Sequence, residues 1–412
     1  MTTFDYQPAI PDGPPAYPMA RQCPLDPPEE IGILRAERPV TRVKIWDGTE
    51  PWLVTRYEDV REVLANPRFS ADFSLPGYPG SSLAVKISRE TSPWFVNMDD
   101  PDHARYRRML TGEFAVRHVE ALRPMVENTV NDLLNEMAAL PQPVNLISAF
   151  ALAVPSLVTC RMLGVPYADR VFWQERSNAL FDVTSSPEVG RRADSELRSY
   201  LADVIAAKER DPGDDLLSRL AERYIRTGEL STTDAVAMAL LLLVGGHETT
   251  ANMIGLGVLT LFDHPEQAAE IRDGDGATVN NAVEELLRLL TVVHTGRRRV
   301  ATEDVELAGV LIRAGEGVIA SEPAANRDPA QFAHPDELDI HREQNHHMAF
   351  GYGVHRCLGQ PLARLELQVA YPALLRRFRN LRAAATSADL QYRDSMIVYG
   401  VKALPVVWDE AS

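Results

Sequence analysis

"FGYGVHRCLGQP", Phe350 to Pro361, is the stretch whose reading decides the fold. It sets Cys357 in a turn with Gly351, Gly353 and Gly359, directly after His355 and Arg356. A lone cysteine is most often a small buried hydrophobe. These neighbours favour another use. Pro361 suits the first turn of a helix, where a missing N–H does least harm, so "CLGQPLARLELQVAYPALL" predicts a helix opening at the cysteine and running over 358–377. A sulfur at a helix N-terminus beside a guanidinium is stabilised as a thiolate. Glycines let the backbone approach a flat ligand without Cβ clashes. Together these features describe a thiolate ready for a soft metal. A thiol hydrolase with His355 as base is the competing chemistry, weakened because nothing nearby orients the imidazole. A dinucleotide loop fails: Arg356 stands where a third glycine is wanted, and "HREQNHHMAF" is no apolar strand.

The bulk numbers narrow the field. The chain has 412 residues, 45% hydrophobic and 24% charged, as in an ordinary globular protein with room for a core and an enclosed ligand. A formal charge of −16 argues against a general nucleic-acid binder, which needs clustered Lys and Arg. Cys23, Cys160 and Cys357 are too few and too scattered for a disulfide framework or a zinc site, so a reducing cytoplasm is expected. The N-terminus lacks a basic segment followed by an apolar one, as a secretion signal would have. The longest apolar run, Ala235–Val244, is too short to span a bilayer. A cytoplasmic monomer with no membrane and no nucleic-acid partner is the expectation.

Along the chain, residues 1–28 read as a Pro-rich arm and 29–412 as a single domain. "VTRVKIW" and "PWLVT" around Asp47-Gly48 predict a hairpin. Thr55 and Glu58 suggest a capping box opening a helix through Leu64. Helical periodicity dominates from about 100 to 290, and short strands with Gly turns follow over 299–322.

"STTDAVAMALLLLVGGHETTANMIGLGVLTLFDHP" predicts one long buried helix, started by Ser231 and Asp234 and stopped near His264-Pro265. Some thirty residues make a rod of roughly 45 Å. Inside it, Gly245, Gly246, Thr249 and Thr250 are poor helix formers. A close helix crossing would explain the glycines but not a buried acid and two hydroxyls. The sharper reading is a deformed turn that admits a small ligand, with Glu248 and Thr249 handling protons.

The cysteine loop is similar to the haem-binding loop of the cytochrome P450 family, F-x-x-G-x-H/R-x-C-x-G, in which the cysteine is the axial thiolate. "GGHETT", about 110 residues upstream, resembles that family's [A/G]-G-x-[D/E]-T oxygen motif. The resemblance runs from "DPDHARYRR" to "GVHRCLGQPLARLEL" and favours the soluble actinobacterial branch. It implies a mainly α fold with a minor antiparallel β region, and haem held between the long central helix and the Cys-loop/C-terminal helix. The cofactor implied is heme b (iron protoporphyrin IX), ligated by Cys357 and, absent any CxxCH, held without thioether bonds.

By the same likeness, His103, Arg107, Arg299 and His355 would bind the propionates, with Arg297 and Arg298 competing with Arg299. Thr249 would serve dioxygen binding, and Glu248 would relay protons. The E-x-x-R signature selects Glu285 and Arg288 as a structural ion pair, with Arg327 as third partner. The substrate pocket would draw on residues 75–96 and 172–190, with Leu241, Val244, Gly245, Val292, Val293, Met396 and Ile397. The implied activity is a monooxygenase that inserts one atom of O2 into a C–H bond of a bulky hydrophobic molecule, statin-, secosteroid- or macrolide-like. Electrons would come from a ferredoxin and ferredoxin reductase, docking on Arg105, Arg108, Arg356 and Arg364. A peroxygenase or a haem gas sensor are the alternatives. Neither needs the Glu248–Thr249 pair.

Overall fold

A computed structural model describes residues 13–82 and 94–411. Its axis is the predicted long helix, Thr232–Phe262. The Ser231 hydroxyl accepts the Asp234 N–H at 3.1 Å, which satisfies a first-turn donor as expected. At the far end Pro265 opens the next helix, Pro265–Asp273. The axis is apolar on nearly every side and therefore needs neighbours all round. Helices Ala153–Leu163, Pro187–Arg210 and Gln360–Arg377 supply them.

The crossing with the C-terminal helix is close. A Cβ on Gly257 would lie 2.1 Å from the Tyr371 hydroxyl, which instead donates to the Met253 carbonyl at 2.6 Å. The backbone stays α-helical through 245–250, so the expected deformed turn is absent. The two glycines there do different jobs. Gly246 faces Thr159 of the crossing helix, 2.9 Å from where its Cβ would stand, and Gly245 meets nothing within 4 Å among the described residues. The crossing explains one glycine, and open space the other.

A five-stranded sheet flanks the helices in the order Val40–Arg42, Trp52–Val54, Gly317–Ala320, Arg297–Ala301, Phe69–Ser70. The hairpin turns where expected, with Gly48 at φ +82°. The sheet is not purely antiparallel, since Trp52–Val54 runs parallel to Gly317–Ala320. The arm is laid on this sheet: Tyr17 donates its N–H to Lys44 at 2.9 Å and is itself buried.

Two local expectations fail. Thr55 does not cap the Tyr57–Ala65 helix, because its hydroxyl donates to the Pro39 carbonyl at 3.0 Å. The Asp328 carboxylate takes the Tyr57 N–H instead, at 2.8 Å. The C-terminal helix begins at Gln360 with Gly359 as N-cap, leaving Cys357 in the loop before it. Among the described residues, no helix is long and apolar enough to cross a membrane.

Candidate active site

Where the central helix, the cysteine loop and the strand Arg297–Ala301 converge, they enclose a cavity of about 350 Å³. Cys357 lies on its wall, half-buried, with its N–H given to the Phe350 carbonyl at 2.8 Å. That bond folds the loop back on itself, and Gly351 and Gly353 permit it by taking φ +71°. Gly353 serves the scaffold as well: a Cβ there would stand 2.5 Å from the Leu64 carbonyl. Its smallness lets the loop close on a helix and not on a flat ligand.

The cavity collects donors that lack acceptors. Arg107, Arg299 and His355 line it. Arg107 gives one bond to the Arg356 carbonyl at 2.7 Å, and Arg299 gives one to the Arg298 carbonyl at 2.8 Å. His355 Nδ1 and His103 Nε2 are buried and without partners among the described residues. The two imidazoles lie ring against ring, centroids 4.0 Å apart, so His103 sits behind His355 and not on the wall. Burial, reinforced by Arg299, His103 and Arg107, drives the His355 pKa down to about 3. Burial also lowers His103, against the pull of Asp100, whose Oδ1 is 3.1 Å from Nδ1. Two imidazoles and two guanidiniums around one space call for a ligand with carboxylates of its own. No group of three or more His, Cys, Asp or Glu able to chelate a metal exists among the described residues. A metal held by Cys357 therefore has to bring its other ligands with it, and the residues present fit a haem with its two propionates.

Above this set, Leu241, Gly245 and Thr249 bring the central helix to the wall. The Thr249 hydroxyl donates to the Gly245 carbonyl at 3.0 Å. Glu248 is not on the wall. Neighbouring helix residues point about 100° apart, so the acid faces away, fully buried, 2.7 Å from Arg393 Nη2 and 3.5 Å from His247 Nε2. Burial pushes its pKa up, but His247, Arg393 and Asn252 overrule it and hold the carboxyl below its usual range.

Val292, Val293 and Ile397 line the cavity; Val244 and Met396 do not, since both are packed into the core. From the two predicted segments come Tyr78, Ser81, Trp94, Phe95, Val96 and Phe181. Residues 83–93, part of the first segment, lie outside the described residues.

The ion pair Glu285–Arg288 is fully buried and bidentate, at 2.8 and 2.7 Å. Its third member is Arg342, Nε to Glu285 at 3.1 Å, and not Arg327. Arg327 pairs instead with Asp336 at 2.7 Å and Asp26 at 3.3 Å. Arg288 also donates to the carbonyls of Asn326 and Pro335, and Asn326 Oδ1 accepts the Met348 N–H at 2.7 Å. The cluster thus pins the chain that leads into the cysteine loop. Arg364 is equally engaged, bidentate to Glu284 at 2.6 and 2.8 Å, which removes it from the proposed docking set.

Glu366 escaped the sequence reading. It stands on the cavity wall, buried, and burial raises its pKa to about 8, opposed by the Thr250 hydroxyl, its hydrogen-bond partner. The signal was an acid inside the apolar run "ARLELQVAY", a type rarely buried without a use.

Comparison with known proteins points the same way. A family model described as Cytochrome P450 matches residues 277–402. Cytochrome P450-SU2 of Streptomyces griseolus is 48% identical to this chain, over 94% of each. The crystal structure of GfsF superposes with a TM-score of 0.89 at 46% identity, covering 96% of this chain and 100% of that one. GfsF is the cytochrome P450 of Streptomyces halstedii. The crystal structure of CYP105P1 in complex with filipin I superposes with a TM-score of 0.89 at 39% identity, covering 97% of this chain and 100% of that one.

Proposed function

We propose, from the premise that this chain belongs to the cytochrome P450 family and is a monooxygenase of it, that it hydroxylates a C–H bond of a bulky hydrophobic small molecule. Statin-, secosteroid- and macrolide-like compounds are the candidates. The resident group is heme b, and electrons come from a ferredoxin and its reductase. The enzyme works as a cytoplasmic monomer, with residues 29–412 as one catalytic domain. The observation that carries the reading is Cys357 sharing a cavity with three unneutralised cationic or imidazole donors below and Thr249 above. That a relative is solved with filipin I bound supports a large apolar substrate.

When bound, the haem supplies dioxygen activation and electron transfer, which no side chain can supply. The chain's own residues do the rest. Cys357 would hold the iron through its sulfur, with Arg356 and the N-terminus of the Gln360 helix beside it to favour the thiolate. Arg107, Arg299 and His355, backed by His103, would donate to the propionates and hold the group in place. Trp94, Phe95, Phe181 and Leu241 give an apolar wall that excludes water from the reacting face. Thr249 Oγ1 turns from the Gly245 carbonyl to donate into the cavity. Glu248, ionised beside Arg393, takes up a proton once that contact loosens and passes it to Thr249.

Reduced holoprotein treated with carbon monoxide should show the Soret band of a thiolate-ligated haem, and Cys357→Ser should lose that band. A variant that keeps it unchanged removes the role given to Cys357.

A further inference from the structure

Arg297, Arg298 and Arg299 are consecutive on an inner strand, and all three reach the cavity. Side chains alternate along a strand, so Arg297 and Arg299 share a face and Arg298 takes the other. Arg297 is neutralised by Glu322 at 2.8 Å. Arg299 belongs with Arg107 and His355. Arg298 has no such assignment. Its one hydrogen bond runs from Nη1 to Thr295 Oγ1 at 3.5 Å, its Nε is buried without a partner, and it makes no ion pair among the described residues. Burial lowers its pKa, countered by Tyr78, Tyr17 and Glu322, and Glu322 is already engaged. Tyr78 and Thr295 share the cavity with it, as does Ser81, whose Oγ is also unpartnered among the described residues.

A buried guanidinium without an anion is costly, and a neutral hydroxyl would leave the charge uncompensated. The haem's two carboxylates do not account for it. Arg107, Arg299 and His355 already offer them donors on the cavity wall. A planar fork of N–H groups at the polar end of an otherwise apolar cavity matches one chemistry best: a carboxylate on a hydrophobic body.

We propose that Arg298 anchors a carboxylate of the substrate, with Thr295, Tyr78 and Ser81 around it, and that the preferred substrates are hydrophobic carboxylic acids. This rests on the cavity being the monooxygenase site proposed above, and it narrows the substrate class.

The test uses ferric holoprotein titrated with dodecanoate and with methyl dodecanoate at pH 7.5. Binding is read from the spin-state shift of the Soret band and, independently, by equilibrium dialysis. A charge-assisted contact predicts about tenfold or more tighter binding of the acid in the wild type. Arg298→Gln should weaken acid binding to the level of the ester and leave ester binding unchanged, and Arg298→Lys should keep part of the preference. Equal binding of acid and ester by the wild type, including binding of neither, overturns the proposal. So does an acid preference that survives Arg298→Gln, or a loss of haem from that variant, which would make Arg298 a propionate clamp. If Arg298→Gln does not fold, the wild-type comparison and Arg298→Lys still decide. The carbonyl Soret band of the same preparation reports on the thiolate separately, so failure of the anchor and failure of the monooxygenase reading give different results.

Discussion

Glu366 stays protonated at neutral pH because its carboxyl is fully buried on the cavity wall, with the Thr250 hydroxyl as partner. The pH consequence follows from the two end states. An unfolded glutamate releases its proton near 4.5, whereas the folded one holds it up to about 8. Between those values the native state binds more protons than the unfolded state, so this group makes stability fall as pH rises through the window. Below pH 4.5 both states are protonated and the effect vanishes. Glu366→Gln keeps the shape and removes the titration. It should match the wild type at pH 4 and exceed it at pH 8 by on the order of 4 kcal/mol. Urea denaturation of both proteins at the two pH values checks this, and a difference independent of pH would mean that Glu366 is ionised in the fold. At the same scale, Thr249 and Glu248 are adjacent in sequence but face different ways: Thr249 lies on the cavity wall and Glu248 is held by Arg393.

The segment 326–347 is largely irregular, yet it positions the cysteine loop. Such a stretch cannot hold itself in place, because its carbonyls have no ladder or helix partners. Arg288 supplies donors to three of them, Asn326, Pro335 and Glu337, while neutralising Glu285. Arg288→Ala should therefore cost about 3–5 kcal/mol, since it strands a buried carboxylate along with those carbonyls. Arg327→Ala should cost less, about 1–3 kcal/mol, because Asp336 and Asp26 are half or more exposed and rehydrate, and only the Leu289 carbonyl loses buried donors. Denaturation of the two variants compares them directly, and equal losses would count against Glu285 as the centre of the cluster. The E-x-x-R spacing made the i,i+3 pair legible in the sequence. The third arginine was not, since Arg327 and Arg342 both lie far along the chain from Arg288 and only packing selects one.

Over the whole molecule the charge is −16, yet the helix Asp102–Thr111 and the cysteine loop, joined by the Arg107 bond to the Arg356 carbonyl, carry several arginines. Arg105, Arg108 and Arg356 are exposed there, next to Val354, an exposed apolar residue of the loop itself. An acidic electron donor would be steered to that face and repelled elsewhere, which raises its on-rate more than its affinity. Charge reversal at Arg105 and Arg108 together should slow ferredoxin-supported reduction about tenfold at low ionic strength and have little effect in high salt. Stopped-flow reduction across a salt series measures this. Equal rates at low salt would place the donor elsewhere.

The sequence by itself determined the cysteine loop, the long apolar axis with its acid–threonine pair, the buried Glu285–Arg288 link and, through these, the family. Each is a contiguous or helix-spaced pattern, so local geometry alone brings its members together. Only the tertiary structure decided that Glu248 turns to Arg393, that Arg342 and not Arg327 joins Glu285, that Gly353 makes room for a helix carbonyl, and that Arg298 is left without an anion. Those outcomes depend on which distant segment arrives opposite a side chain. Close packing of the whole chain sets that meeting, and no spacing along the sequence encodes it.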